Sequence, residues 1–383
     1  MIYSSTGEIL KTFNVYNSLG LFYGRITEWL GFKFADGEGK TMGLAPYGSR
    51  SDLLRHKYSF GNGKYRVEPN IYGYLEKTFG PRRKGEIKQI HKDVALSAQT
   101  ALEEIMSHLV EYYKEITGYR NLCLAGGVAL NCKMNGMLLE SGIIKDIFIQ
   151  PLANDAGCAV GAAAYLAMQD GCKFKKLDHV YYGPEYSDEE IEHILKEAKV
   201  KYEKISDPAG EAAELIAKDK IIGWFQGRME AGPRALGNRS ILANPSKAEM
   251  VDKINYFVKH REPWRPFCPS MLDKAKKRYM KKSYASPFMI LAFNTTEKAH
   301  EEIPAVLHKA DKSMRPQTVT KEANPLYYKL IREFEKITGI PVVLNTSFNV
   351  AGEPIVCSPK DALGTFFKSG MDYLVMGNYL VRK

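Results

Sequence analysis

Between Asn121 and Gln169 the chain alternates apolar runs with helical, small-residue patterns, and the joints between them are rich in glycine. NLCLAGG (Asn121 to Gly127) reads as a buried strand, followed by a helix from about Leu130 to Glu140. IKDIFIQP then reads as a second strand, LANDAG as a loop and CAVGAAAYLAMQ as a second helix. A β–α–β–α order with glycine turns predicts an α/β layer, because each helix returns the chain for the next strand to join the same sheet.

The flanking sequence fits that layer. Val94, Ala95, Ala98, Leu102, Ile105, Leu109 and Tyr112 recur at helical spacing between Lys92 and Thr117. Upstream, MIYSSTGEILKTF reads as two extended runs around a turn at Ser5, Thr6 and Gly7. Residues 51–90 are polar and tyrosine-rich, with GPRRKGE as a loop. Residues 172–205 read as a connector. It carries one amphipathic helix opened by Ser187, with Glu190 three positions on as a capping box. A second unit starts near Asp207, with a helix in AGEAAELIAKD, a strand in KIIGWFQG, an arginine-bearing loop, a helix, mixed strands and a helix at Leu326 to Thr338. The strand IPVVLNTSF and a closing helix–strand pair finish it. The 383 residues therefore divide, on expectation, into 1–175, a connector 176–205 and 206–383.

The arginine-bearing loop carries most of the chemistry. GWFQGRMEAGPRALGNRSILANP (Gly223 to Pro245) presents Arg228, Glu230, Arg234, Arg239 and Ser240 among glycines and a proline. Arginines spaced this way cannot share one solvated helix face. A guanidinium is a permanently charged fork that matches phosphate oxygens, so an anion site is the better reading. Glu230 is placed to orient one of the arginines. KHREPWRPFCPS adds Lys259, Arg261 and Arg265 as a wall of such a site. LNTSFNVAGEPI adds Asn345, Ser347 and Asn349 at a strand end, where α/β sites lie. In AGGVALN, Gly126, Gly127 and Asn131 sit at a strand-to-helix turn able to hold a nucleotide. Asp155, before a glycine at a helix start, reads by spacing as an N-cap or a metal ligand.

Composition limits the partners. A net charge of +10 favours anionic ligands. With no tract of five or more Lys or Arg and no nucleic-acid module, nucleic acid is disfavoured against nucleotide phosphates. Hydrophobic residues at 45% give an ordinary globular core. No apolar stretch approaches the ~20 residues of a membrane span. Six cysteines without a CxxC pair predict reduced, mostly buried thiols and a cytoplasmic protein. There is no GxSxG elbow, no GxxxxGK[ST] loop and no HxxxH pair.

Together, GFKFADGEGKTMGLAPYG, CLAGGVALNCKMNG, IQPLANDAGCAVGAA, the arginine loop, REPWRPFCPS, RPQTV (Arg315 to Val319) and VVLNTSFNVAGEPIV resemble, in family order, the O-carbamoyltransferases typified by the nodulation, cephamycin and tobramycin enzymes. The resemblance implies a partial actin-like ATPase (ASKHA) domain followed by a YrdC-like α/β domain. It implies ATP and carbamoyl phosphate as substrates and a carbamoyl-adenylate intermediate. The carbamoyl group then passes to a hydroxyl of a small molecule or glycan. Arg228, Arg234, Arg239, Lys259, Arg261, Arg265 and Arg315 would hold the polyanions. Asn345, Ser347 and Asn349 would orient the carbamoyl group or α-phosphate, and Gly126, Gly127 and Asn131 would lie along the nucleotide. Asp155 matches the metal-binding aspartate of the family, so the resemblance replaces its N-cap reading with a divalent metal, iron or magnesium. The family's HxxxH pair and a further aspartate have no counterpart here, since Ser4 stands at the aspartate position. The chain is thus expected to be a truncated or split member that needs a partner chain to complete one lobe. The competing expectations are a degenerate nucleotide-binding remnant without transfer activity and an RNA-associated role.

Overall fold

Gln89–Thr117 forms one 29-residue helix, starting three residues before the expected Lys92. Its first half is buried on most sides, including His91, Asp93, Ser97 and Gln99. Beyond Ala101 the buried positions Leu102, Ile105 and Leu109 fall three and four apart on one stripe. The structure is a computed structural model describing residues 1–82 and 85–383. Arg83 and Lys84, inside the expected loop GPRRKGE, lie outside the described residues. Internal contacts gather into two units, residues 1–155 and 156–383.

In the first unit, strands β1 (Ile2–Tyr3) and β2 (Ile9–Lys11) form the expected N-terminal hairpin. Strands β3 (Tyr58–Gly61) and β4 (Lys64–Val67) form a second one inside the polar, tyrosine-rich segment. Its two-residue turn is Asn62-Gly63, with φ of 50° and 66°, the left-handed pair that matches strand twist. Strands β5 (Asn121–Leu124) and β6 (Asp146–Ile149) pair in parallel, as the β–α–β reading requires. The connecting helix is Cys132–Glu140, entered through a 3₁₀ turn at Gly127–Leu130.

The second unit is built on an eight-stranded mixed sheet. Its strands are β7 (Tyr202–Lys204), β8 (Ile222–Phe225), β9 (Arg239–Ala243), β10 (Cys268–Leu272), β11 (Gln317–Val319), β12 (Val342–Ser347), β13 (Tyr373–Met376) and β14 (Tyr379–Arg382). The spatial order is β11-β10-β12-β9-β8-β13-β14-β7. The pairs β10–β11 and β8–β13 are parallel and the others antiparallel. Helices Pro208–Ala217 and Pro325–Thr338 pack over it, joining Ala212, Ile216, Leu330 and Phe334 to Trp224, Leu242, Val343 and Val375. Every residue of β8, β9 and β10 is buried; β8 (IGWF) accordingly reads as a continuous apolar run, while β9 and β10 bury the polar Arg239, Ser240 and Ser270 as well. The α/β class therefore stands.

Two expectations change. The arginine-bearing segment Gly223 to Pro245 contains a strand, β9 at Arg239–Ala243, before the expected helix, which begins at Met250. The thiols are free but not mostly buried. Cys132 and Cys268 are buried, Cys357 is intermediate, and Cys123, Cys158 and Cys172 are exposed. Cys158 shows why: its helix, Cys158–Gln169, has the expected bounds and buries none of its residues.

Candidate functional site

The arginine loop is folded around a carboxylate. Glu230 is buried, and its Oε1 accepts from the backbone N–H groups of Leu236 at 2.7 Å, Asn238 at 2.8 Å and Arg239 at 3.2 Å. It organises the backbone of the loop rather than a guanidinium. Trp224 donates its indole N–H to the Gly237 carbonyl at 2.8 Å. Gly237 has φ 106°, and a Cβ there would stand 2.2 Å from the Tyr327 ring. The Ser240 hydroxyl accepts from the Gly237 N–H at 3.1 Å, so it too serves the turn.

Residues of the expected connector form the other side of this loop. Gly183 donates to the Met229 carbonyl at 2.9 Å, Met229 to Pro184 at 2.9 Å, and Ala231 to Val180 at 2.7 Å. The Tyr181 hydroxyl donates to the Leu236 carbonyl at 2.8 Å, and burial pushes its pKa up. Beneath lies a buried polar chain. Asn324 donates to Asn238 at 2.8 Å, Gln317 to the Leu236 carbonyl at 2.7 Å, and Ser270 to Gln317 at 2.7 Å. Sequence reasoning missed Tyr181, Asn238, Ser270, Gln317 and Asn324. Asn238, Ser270 and Gln317 lie within the quoted motifs beside charged residues that draw the attention, while Tyr181 and Asn324 lie in no motif and only their burial marks them.

The cations divide into two groups. Arg239 is 0% exposed, with its guanidinium 3.6 Å above the Phe225 ring. It donates to the carbonyls of Gln226 at 2.7 Å and of Gly227, Asn238 and Pro184 at 3.1 Å each. Burial lowers its pKa to about 10. These bonds make it a clamp on its own loop. Arg228 is exposed and donates to the Tyr182 carbonyl at 3.2 Å. Arg234 is half-buried.

The second group is the one that suits an anion. Lys259 is 3% exposed, and among the described residues no carboxylate pairs with its ammonium. Its Nζ donates to the Ser347 carbonyl at 2.5 Å and hydroxyl at 3.2 Å, and to the Asn349 carbonyl at 3.0 Å and Oδ1 at 2.7 Å. Burial, then Arg261 and Arg265, hold its pKa well below the ordinary value. Arg261 donates to Asn255 Oδ1 at 2.7 Å and lies over the Phe267 ring. Burial, then Arg265, with Arg315 adding a smaller like-charge effect, pulls its pKa down to about 9. Arg315 donates to the Cys268 Sγ at 3.2 Å, and Arg265 reaches Glu262 at 3.8 Å. Asn345, in register with Cys268, donates to the Ser270 hydroxyl at 2.9 Å and keeps a buried Oδ1 without a partner. Like charges gathered in a desolvated place oppose one another, and an anion relieves that opposition.

In the first unit, Gly126 has φ 95°, and nothing stands within 4 Å of a Cβ built at Gly126 or Gly127, so the turn is open. Asn131 is engaged: it caps the Cys132–Glu140 helix through the Met134 N–H at 3.0 Å and exchanges amide bonds with Gln99 at 2.9 and 3.0 Å. Asp155 is exposed and caps no helix, since the cap position of the next helix is Gly157. Among the described residues no group of three or more His, Cys, Asp or Glu stands close enough to share a metal ion. Asp155 alone does not make a metal site, and no step below passes through one.

Two family models match the chain. The family model described as Carbamoyltransferase N-terminus matches residues 1–164, and that described as Carbamoyltransferase C-terminus matches residues 213–383. The chain is similar to nodulation protein NolNO of Sinorhizobium fredii, at 44% identity over 98% of this chain and 57% of that protein. It is similar to nodulation protein NolO of Bradyrhizobium diazoefficiens, at 43% identity over 98% of this chain and 70% of that protein. Among solved structures, full-length HypF in its phosphate- and nucleotide-bound form aligns with 46% of this chain and 22% of its own, at 17% identity and a TM-score of 0.33, too low to carry an argument. On the family matches and the two relatives, the chain belongs to the carbamoyltransferase family.

Proposed function

We propose that the chain is an ATP-dependent O-carbamoyltransferase. The observation that carries this reading is the cluster of Lys259, Arg261, Arg265 and Arg315, in which burial and mutual repulsion lower the pKa values of Lys259 and Arg261. ATP and carbamoyl phosphate are both polyanions, and a cluster of cations in a poorly hydrated place holds them and stabilises charge as it develops. The second unit, read as YrdC-like, would form carbamoyl-adenylate. Water releases phosphate from carbamoyl phosphate, and the carbamate oxygen displaces pyrophosphate from the α-phosphorus of ATP. Lys259, fixed through Ser347 and Asn349, would set the depth of the α-phosphate. Arg234, Arg261 and Arg265 would face the departing pyrophosphate. The first unit, read as actin-like with its open turn at Gly126 and Gly127, would accept the adenylate. There an acceptor hydroxyl attacks the carbamoyl carbon and AMP leaves. A divalent metal in that unit, with Asp155 as one ligand, would need its other ligands from outside the residues described, and a second chain is one source.

The test is carbamoyl-phosphate-dependent exchange of labelled pyrophosphate into ATP, with wild type beside Arg261→Ala. Exchange that Arg261→Ala reduces by roughly a hundredfold, as for loss of one transition-state contact, supports the reading. A folded chain that binds ATP and shows no exchange is the degenerate remnant instead.

A further inference from the structure

The first unit holds an open groove of about 690 Å³ between the segment that follows β2 and the β3–β4 hairpin. The chain builds it deliberately at the backbone level. In an antiparallel pair closed by a two-residue turn, Lys64 and Arg66 bond inward to β3, while Tyr65 and Val67 offer their backbone groups to the free edge. Asn17 closes that edge as a strand would. Its amide donates to the Tyr65 carbonyl at 2.6 Å and accepts from the Val67 N–H at 2.9 Å. Asn14 holds the Tyr16 N–H at 2.9 Å. The pleat then buries Tyr65 and Val67 and turns Lys64 and Arg66 outward.

The lining has a definite chemistry. It carries three cations, Lys11, Lys64 and Arg66, and no carboxylate. It also carries one open aromatic ring, Tyr16 at 76% exposure, whereas Phe60 stacks on His108 on the opposite face of the hairpin. Edge cations alone are explained by protection against strand pairing. That explanation does not call for an uncovered Tyr16 ring among them. An aromatic face takes the C–H face of a sugar ring, and paired cations take carboxylates. Resting on the carbamoyl-transfer reading, we propose that this groove docks the hydroxyl acceptor and that the acceptor is an acidic saccharide, a chain of sugar rings bearing uronate groups.

The experiment is calorimetric titration of the whole chain at low salt, without ATP or carbamoyl phosphate. The probes are a hyaluronan tetrasaccharide and its neutral counterpart, N,N′,N″,N‴-tetraacetylchitotetraose. The acidic tetrasaccharide is expected to bind about tenfold more tightly than the neutral one. Lys64→Ser with Arg66→Ser should erase that difference, at the scale of about tenfold for two exposed charges. Tyr16→Ala should weaken both sugars. An unchanged thermal midpoint in each variant keeps loss of folding out of the comparison. Absence of binding, equal binding of the two sugars, or binding indifferent to the double substitution overturns the proposal and leaves the cations as edge protection. Displacement of the sugar by ATP overturns it in favour of a nucleotide groove. The outcome is separable from that of pyrophosphate exchange: sugar binding without exchange removes the enzymatic reading and keeps the groove, and exchange without sugar binding does the reverse.

Discussion

Lys259 is the residue at which structure and chemistry meet most directly. Four oxygens from Ser347 and Asn349 surround its ammonium, yet none carries a formal charge. Burial and the neighbouring guanidinium groups therefore depress its pKa below the ordinary 10.5. Between the depressed folded value and 10.5, the unfolded chain binds more protons than the folded one, so this group makes stability rise with pH in that window. A bound anion favours the protonated form and opposes the trend. Pyrophosphate affinity should thus fall as pH rises through the alkaline range below 10.5. Lys259→Met should bind pyrophosphate weakly and show a flat profile there. A variant profile as steep as wild type would assign the titration to another group. Glu230 gives a second prediction at this scale. Glu230→Gln keeps the shape and removes the charge under three N–H donors, and should cost about 2 kcal/mol in urea unfolding. A loss below about 0.5 kcal/mol would mean that the loop holds its form without the carboxylate. The four residues from Arg228 to Arg239 were all visible in sequence as polar anchors among glycines. Their division of labour was not, because an arginine that binds backbone carbonyls and one that binds a phosphate are the same letter.

At the scale of elements, the regular pieces were legible because their periods are simple. The helix Cys158–Gln169 and the strand β5 fall where the apolar patterns place them. The capping box of Ser187 and Glu190 closes with both bonds present, at 3.2 and 2.7 Å. The hairpin β3–β4 escaped notice, although Asn62-Gly63 is the strongest short-range turn signal a sequence offers. Its strands are short and tyrosine-rich, and only Tyr65 and Val67 of β4 are buried, so the alternation covers too few residues to stand out. HVYYGPEY reads as part of a connector because nothing in it alternates or caps. Its role comes from non-local pairing with Met229 and Ala231, which local pattern does not encode. Gly237 shows how tightly the loop-to-strand joint is specified. Gly237→Ala places a Cβ in the Tyr327 ring and forces a left-handed φ, and should destabilise by on the order of 3 kcal/mol. Gly227→Ala is the comparison. Its φ is 44°, and the nearest atom to a built Cβ is 3.6 Å away, so backbone strain of roughly 1 kcal/mol is the whole expected effect. Equal losses in thermal unfolding would show that φ, not the ring, dominates at Gly237.

For the molecule as a whole, the surplus of ten positive charges must be divided between what is buried and what faces water. The buried share, around Lys259 and Arg261, is held at fixed positions and poorly screened. The remainder is spread over surface lysines, many of them paired locally, as Lys196 is with Glu192 and Lys298 with Glu302. A dispersed surplus attracts any polyanion without recognising it, and such attraction is released by salt because it depends on counterions. A buried cluster that matches a phosphate loses less, because its energy comes from short hydrogen bonds in a place that excludes ions. The two behaviours separate the carbamoyl-transfer reading from an RNA-associated one. Between 50 and 200 mM salt, affinity for a bulk tRNA preparation should fall about a thousandfold or more, as for roughly six phosphate contacts. Pyrophosphate affinity should fall by about tenfold at most over the same range. Filter binding and calorimetry on one preparation give both slopes. If Arg261→Ala instead abolishes tRNA binding while a substitution of surface lysines leaves it unchanged, the cation cluster would belong to a nucleic-acid site, and the phosphates it was built for would be those of an RNA backbone.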